Sequence, residues 1–138
     1  MSDENFSNAV STSVGANRQS QMLVILFIPT KDRNNTEIRD IDMWLDGAIS
    51  MISKTFGGAT VMAPASGAWV NPDTKEVIRE EVHLIHSYGT PDSELRCFEP
   101  IAEFMHMMGR KTNQGEMGLV VDGVFHHINE YRKAPLES

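Results

Sequence analysis

The chain has one cysteine, Cys97, in 138 residues. No disulfide can close within it, and a reducing cytoplasm is the expected home. No run of 18 apolar residues exists, so no segment reads as a membrane-spanning helix. The first residues, MSDENFSNAV, are acidic and polar, the reverse of a secretory signal peptide. Clustered basic charge is also missing. The formal net charge is −7, and basic residues stand side by side only at Arg110-Lys111 and Arg132-Lys133. Binding to phosphate backbones wants a basic patch, so nucleic acid is not an expected partner. There is no GxxxxGK[ST] phosphate loop, and no Cys-His or Ser-His-Asp signature. No cofactor is expected.

What is present fits one domain. Residues 1–21, rich in Ser, Asn, Ala and Gln, read as a disordered N-terminal tail, and 132–138 as a frayed C-terminus. Between them, 22–131 reads as a single α+β domain. "MLVILFIPT" is a strand buried on both faces, ended by Pro29. Asn35 or Thr36 caps a helix whose apolar residues run from Ile38 through Trp44, Ala48 and Ile52 to Phe56. Gly57-Gly58 stops it. "ATVMAPASGAWV" is a strand bent near Pro64 and Gly67, "NPDTK" a turn, and "EVIREEVHLIHSYG" a long strand. A second helix carries Phe98, Ile101, Ala102, Met105 and Met108. Pro100 either kinks a helix starting near Ser93 or sits in the first turn of one starting near Phe98. "GEMGLVVDGVFHHI" is a strand, an Asp122-Gly123 turn and a short strand. The order is β-α-β-β-α-β, a ferredoxin-like sandwich with an antiparallel sheet and two helices on one face. The other sheet face needs water, a ligand or another subunit over it.

The least generic stretch is "FGGATVMAPASGAWVNPDTKEVIREEVHL". Trp69 follows Ser66 and Gly67, offering a stacking plate beside backbone that a ligand can approach. Glu80 and Glu81 are adjacent on a strand, so they face opposite ways. If Val82 and Leu84 face the helices, Glu81 shares the open face with His83, as a base or as a carboxylate for a cation. Against this stand plain alternatives: a solvated strand for Glu81, a core or interface role for Trp69, and a helix cap for Gly57-Gly58. "MHMM" around His106 reads as core methionine, and no metal site is expected.

The order of elements, with "GGATV", "SGAW", "EVIREEV" and "NQGEMGLVVDG", resembles the PII-like (GlnB-like) superfamily. It also resembles small uncharacterised bacterial and phage proteins that share Gly-Thr, Gly-x-Trp and a Glu-containing strand. The pattern falls on Gly58, Thr60, Gly67, Trp69 and Glu81. The resemblance implies a trimer with ligand clefts between subunits. Among PII-like proteins, signalling members bind adenine nucleotides, while phage S-adenosylmethionine lyases use a Gly-x-Tyr segment near a catalytic glutamate. Here Trp69 replaces the tyrosine, and Asp73, Glu76, Glu80 or Glu81 must supply the acid.

Three functions follow as expectations. The first is a small-molecule module, for an adenine-nucleotide-like ligand, with Thr60, Ser66, Gly67, Trp69 and His83 lining the site. The second is a small phage-type lyase acting on S-adenosylmethionine, with Glu81 catalytic. The third is a ligand-free interaction or counter-defence protein.

Overall fold

A computed structural model describes residues 3–89 and 95–133. The helix start considered at Ser93, and the chain end beyond 133, lie outside the described residues. The elements are α1 (Asp3–Val14), β1 (Met22–Pro29), α2 (Ile41–Phe56), β2 (Thr60–Val61), β3 (Ala65–Val70), β4 (Val77–Gly89), α3 (Glu99–Lys111), β5 (Met117–Val121) and β6 (Val124–Ile128), with a 3-10 turn at Leu95–Phe98 before α3. The fold is α+β with an antiparallel sheet. Its order is β2-β4-β1-β5-β6, and β3 also pairs with β4.

The plain β-α-β-β-α-β order with two helices needs correction. The bent strand is two strands: Met62 still donates its N–H to the Leu84 carbonyl at 2.9 Å, the ladder lapses at Ala63 and Pro64, and β3 restarts at Ala65. Proline has no N–H to give a ladder, so the break falls there. Gly67 is no break: it sits in register opposite Glu80. A third helix, α1, occupies part of the N-terminal segment that composition reads as disordered. None of its residues is buried.

Local chemistry explains most boundaries. Gly57 ends α2 in a left-handed conformation, φ 94°, donating its N–H to the Ser53 carbonyl. The predicted cap at Asn35 or Thr36 is not used. Asp32 instead accepts from the N–H groups of Asn34 (2.8 Å) and Thr36 (3.0 Å), and Asp40 precedes α2. That turn occupies residues a longer helix would need. Pro100 lies in the first turn of α3. Asp122 and Gly123 both have positive φ and close the β5–β6 hairpin. Asp122 also accepts from the Leu23 N–H at 2.9 Å, tying that turn to β1.

The core lies between one sheet face and the two helices α2 and α3. Val24, Leu26 and Ile28 of β1, Ile85 of β4 and Met117 and Leu119 of β5 meet Trp44, Ala48 and Ile52 of α2 and Ile101, Phe104, Met105 and Met108 of α3. Trp44 and Phe104 meet edge to face at 6.0 Å.

Candidate functional site

Residues directly opposite each other in an antiparallel ladder share a face. Leu26 pairs with Ile85 and Val24 with Ser87, and all four are buried toward the helices. The odd-numbered residues of β4 therefore point to the helix side. This corrects the expected facing: Ile85, not Val82 or Leu84, packs under the helices. A one-residue change in that assignment moves every side chain of the strand across the sheet.

The consequence for the predicted residues is direct. Ser66 pairs with Glu81, so Ser66, Glu81 and His83 lie on the helix side. Thr60 pairs with His86, Gly67 with Glu80 and Trp69 with Ile78, so Thr60, Gly67 and Trp69 lie on the open side. The six candidates are split between two faces and do not converge. The acid that shares the face of Trp69 is Glu80.

Glu80 is half-buried. Loss of water raises its carboxyl above the ordinary range, while the Lys31 charge and hydrogen bonding to the Lys31 backbone pull it back in part. Next to it, Thr30 Oγ1 donates to the Glu81 carbonyl at 2.6 Å and holds the end of β1 against β4. Across the β3–β4 ladder Glu80 faces Gly67. A methyl group there would sit 3.7 Å from the Glu80 carbonyl oxygen and 3.7 Å from Val82, which is ordinary contact. Gly67 is thus not required for clearance. What it provides is an open position beside Glu80, between Ala65 and Trp69. Trp69 keeps 40% of its surface exposed. Ala65, Gly67 and Trp69 share this face with Glu80 by register, while the Glu80 carboxylate itself is engaged by the Lys31 backbone on the β1 side of β4.

The same face continues as an apolar surface. Leu23, Ile25 and Phe27 of β1 and Leu84 of β4 are only half-buried, and Phe125 of β6 is 40% exposed. Phe125 lies over Gly118 and contacts Phe27 at 5.4 Å between ring centres. His86 is also on this face, and its Nε2 is buried with no hydrogen-bond partner. Sequence reasoning named Glu80 among four candidate acids without choosing it, and passed over His86. Their signal is the ladder register, which only the pairing reveals.

Other candidates resolve simply. Among the described residues no cluster of three or more His, Cys, Asp and Glu side chains could hold a metal. His106 Nδ1 accepts from the Arg132 N–H at 3.1 Å, and His127 bonds Glu116 at 2.8 Å. Burial pushes the Cys97 thiol up, the opposite of activation. Among the described residues no helix is long and apolar enough to cross a membrane. A separate groove of about 800 Å³ lies on the helix layer, lined by Met43, Trp44 and Gly47 of α2 and Phe104 and Met107 of α3. It contains none of the predicted site residues.

No protein-family model and no curated protein sequence matches the chain. Two solved structures do. A phage SAM lyase in complex with S-methyl-5'-thioadenosine aligns with TM-score 0.61 and 10% identity, over 83% of this chain and 95% of that chain. A phage SAM lyase in the apo state aligns with TM-score 0.52 and 11% identity, over 83% and 94%. At such identity the likeness is one of fold. It overturns the assignment to the PII-like superfamily: the matched structures are SAM lyases, not PII signalling proteins.

Proposed function

We propose that the protein binds S-adenosylmethionine on its open sheet face and cleaves it as a lyase. The observation that carries this reading is the shared fold over 95% of a phage SAM lyase chain. The shared face of Trp69, Gly67 and Glu80 supports it independently. S-adenosylmethionine pairs a flat adenine with a cationic amino-acid arm. Trp69 stacks the adenine, and Glu80 meets the arm through the gap at Gly67. A carboxylate already short of water gains most from a cation brought to it.

The bond between sulfur and the γ-carbon breaks, and its electron pair goes to sulfur. The nucleoside product is then S-methyl-5'-thioadenosine. Two routes balance for the remaining fragment. Its own carboxylate closes onto the γ-carbon as a lactone, with Glu80 holding the ammonium, whose charge persists through the step. Alternatively Glu80 takes the β-proton and an alkene forms. A carboxylate set against the sulfonium alone would favour the reactant over the transition state, since that charge disappears.

In this reading a second copy of the chain covers the apolar open face and completes the site as a cleft in a homo-oligomer. The test is incubation of the purified protein with S-adenosylmethionine and chromatography of the products. Formation of S-methyl-5'-thioadenosine supports the reading. The second fragment, lactone or alkene, separates the routes. Retention of intact S-adenosylmethionine without products would leave a binding module, and no retention at all would end the proposal.

A further inference from the structure

Past β6 the chain leaves the sheet, and residues 129–133 lie as an irregular strap against α3. Two side chains of α3, four residues apart and so on one side of the helix, grip one residue of it. His106 Nδ1 accepts from the Arg132 N–H at 3.1 Å, and Arg110 Nη1 donates to the Arg132 carbonyl at 3.1 Å. Beside them Tyr131 packs over Gly109, where a methyl group would collide with its ring, and meets His106 edge to face at 6.2 Å. β6 is an edge strand of the sheet, paired with β5, so the strap is a second anchor for that edge.

The grip is finely balanced. The Tyr131 hydroxyl is buried without a partner, so docking the strap strips water from it and returns no bond. One of the two backbone bonds also depends on a lone pair. His106 must present Nδ1 bare, with the ring hydrogen on Nε2. A proton on Nδ1 sets donor against donor and adds a positive charge beside Arg132 and Arg110.

We propose that residues 129–133 form a pH-sensitive latch, closed on α3 while His106 is neutral and open once His106 takes a proton. The surroundings support this. Loss of water, then the charges of Arg132 and Arg110, hold the ring below its ordinary value of 6.5. Opening the strap returns water to the ring and removes Arg132, so the open state takes the proton first. The latch is therefore closed above the ordinary value and is lost as pH falls from it through the depressed one. Glu99 and Glu103 stand nearer the start of α3, and Glu130 and Lys133 flank the grip in the strap. Tyr131 stays neutral throughout, since burial pushes its hydroxyl up to about 12. His127 of β6 bonds the Glu116 carboxylate at 2.8 Å, a pair that a proton strengthens, so acid acts on the strap and not on the hairpin through His127.

The test is nuclear magnetic resonance of the full chain, titrated from about pH 8 to about pH 5 across the histidine range. The Gly109 α-protons lie against the Tyr131 ring and report whether it is in place, and the Arg132 amide reports its bond to His106. Both signals should move together with the His106 ring, at one midpoint below 6.5. Protection of the Arg132 amide from exchange, corrected for the intrinsic rate, should fall about tenfold or more. His106→Gln keeps an acceptor but cannot titrate, and should hold the strap closed across the range. Tyr131→Phe removes the unpartnered hydroxyl and should move the midpoint lower. Circular dichroism follows the fold at each pH. A His106 ring that titrates while Gly109 and Arg132 stay still overturns the proposal, as does the same transition in His106→Gln. So does a domain that unfolds before the strap moves. Neither S-adenosylmethionine nor turnover enters this readout, so it stands or fails apart from the proposed reaction.

Discussion

The two faces of the sheet are built to different rules. On the helix side, Val24, Leu26, Ile28 and Ile85 are wholly buried, and Ser87, the polar group among them, donates to the Gly58 carbonyl at 2.6 Å. On the open side, apolar residues are half-covered. Glu80 sits short of water, and His86 has a buried nitrogen with no partner. Among the described residues each side holds a buried polar atom without a partner, His86 Nε2 on the open face and the Tyr131 hydroxyl beside α3, so the two faces differ in apolar cover rather than in polar satisfaction.

The largest effects should come from breaking the fully covered face. Leu26→Ala removes a fully buried side chain and is expected to cost about 2–5 kcal/mol in chemical denaturation. Leu84→Ala, on the half-covered face, should cost clearly less in the same experiment. It should instead weaken self-association measured by sedimentation. Equal losses of stability would erase the distinction between the faces.

Next comes Gly118→Ala. Its added methyl would collide with the ring of Phe125, so the ring must leave its place over β5. A cost of about 1–3 kcal/mol is expected from overpacking, together with weaker association. Phe125→Ala in the same chain should restore stability without restoring association.

Trp69→Ala should lower the denaturation midpoint, but by less than Leu26→Ala, because part of the indole is already exposed. It should weaken binding of S-methyl-5'-thioadenosine by about 1–3 kcal/mol in calorimetry, the scale of base stacking on an aromatic ring. The smallest effect is on stability at Glu80. Its folded carboxyl titrates above the ordinary range, so between the ordinary value and the raised one the folded protein holds a proton that the unfolded chain releases. Stability from this group therefore falls as pH rises through that window. Glu80→Gln should remove the dependence and slightly raise Tm at neutral pH. A drop in Tm would mean that the Lys31 interaction outweighs the loss of water.

The fold's elements were legible where one physical signal dominated. The apolar run of β1, the helical spacing from Trp44 to Ile52, the glycine stop at Gly57 and the Asp122-Gly123 turn each have a single local cause. The facing of β4 was not legible, for a physical reason. Val82, Leu84 and Ile85 place apolar side chains on both faces, so alternation alone does not say which face is inward. That one ambiguity placed Glu81 and His83 on the open face and kept Glu80, named among four candidate acids, from being chosen. Trp69 and Gly67 stood out because their residue types are distinctive, and the face they share with Glu80 could be read only from the register. The helix α1 was missed because its polar composition outweighs a stripe of three apolar residues.

The central claim is that the functional acid lies on the face of Trp69. It is tested by comparing Glu80→Gln with Glu81→Gln in formation of S-methyl-5'-thioadenosine from S-adenosylmethionine, each variant first checked for native folding. The account predicts that Glu80→Gln loses at least a hundredfold in rate, on the scale of a lost acid–base group, while Glu81→Gln stays within a few-fold of the unaltered protein. Loss in Glu81→Gln with activity kept in Glu80→Gln would contradict it and place the chemistry on the helix side of the sheet.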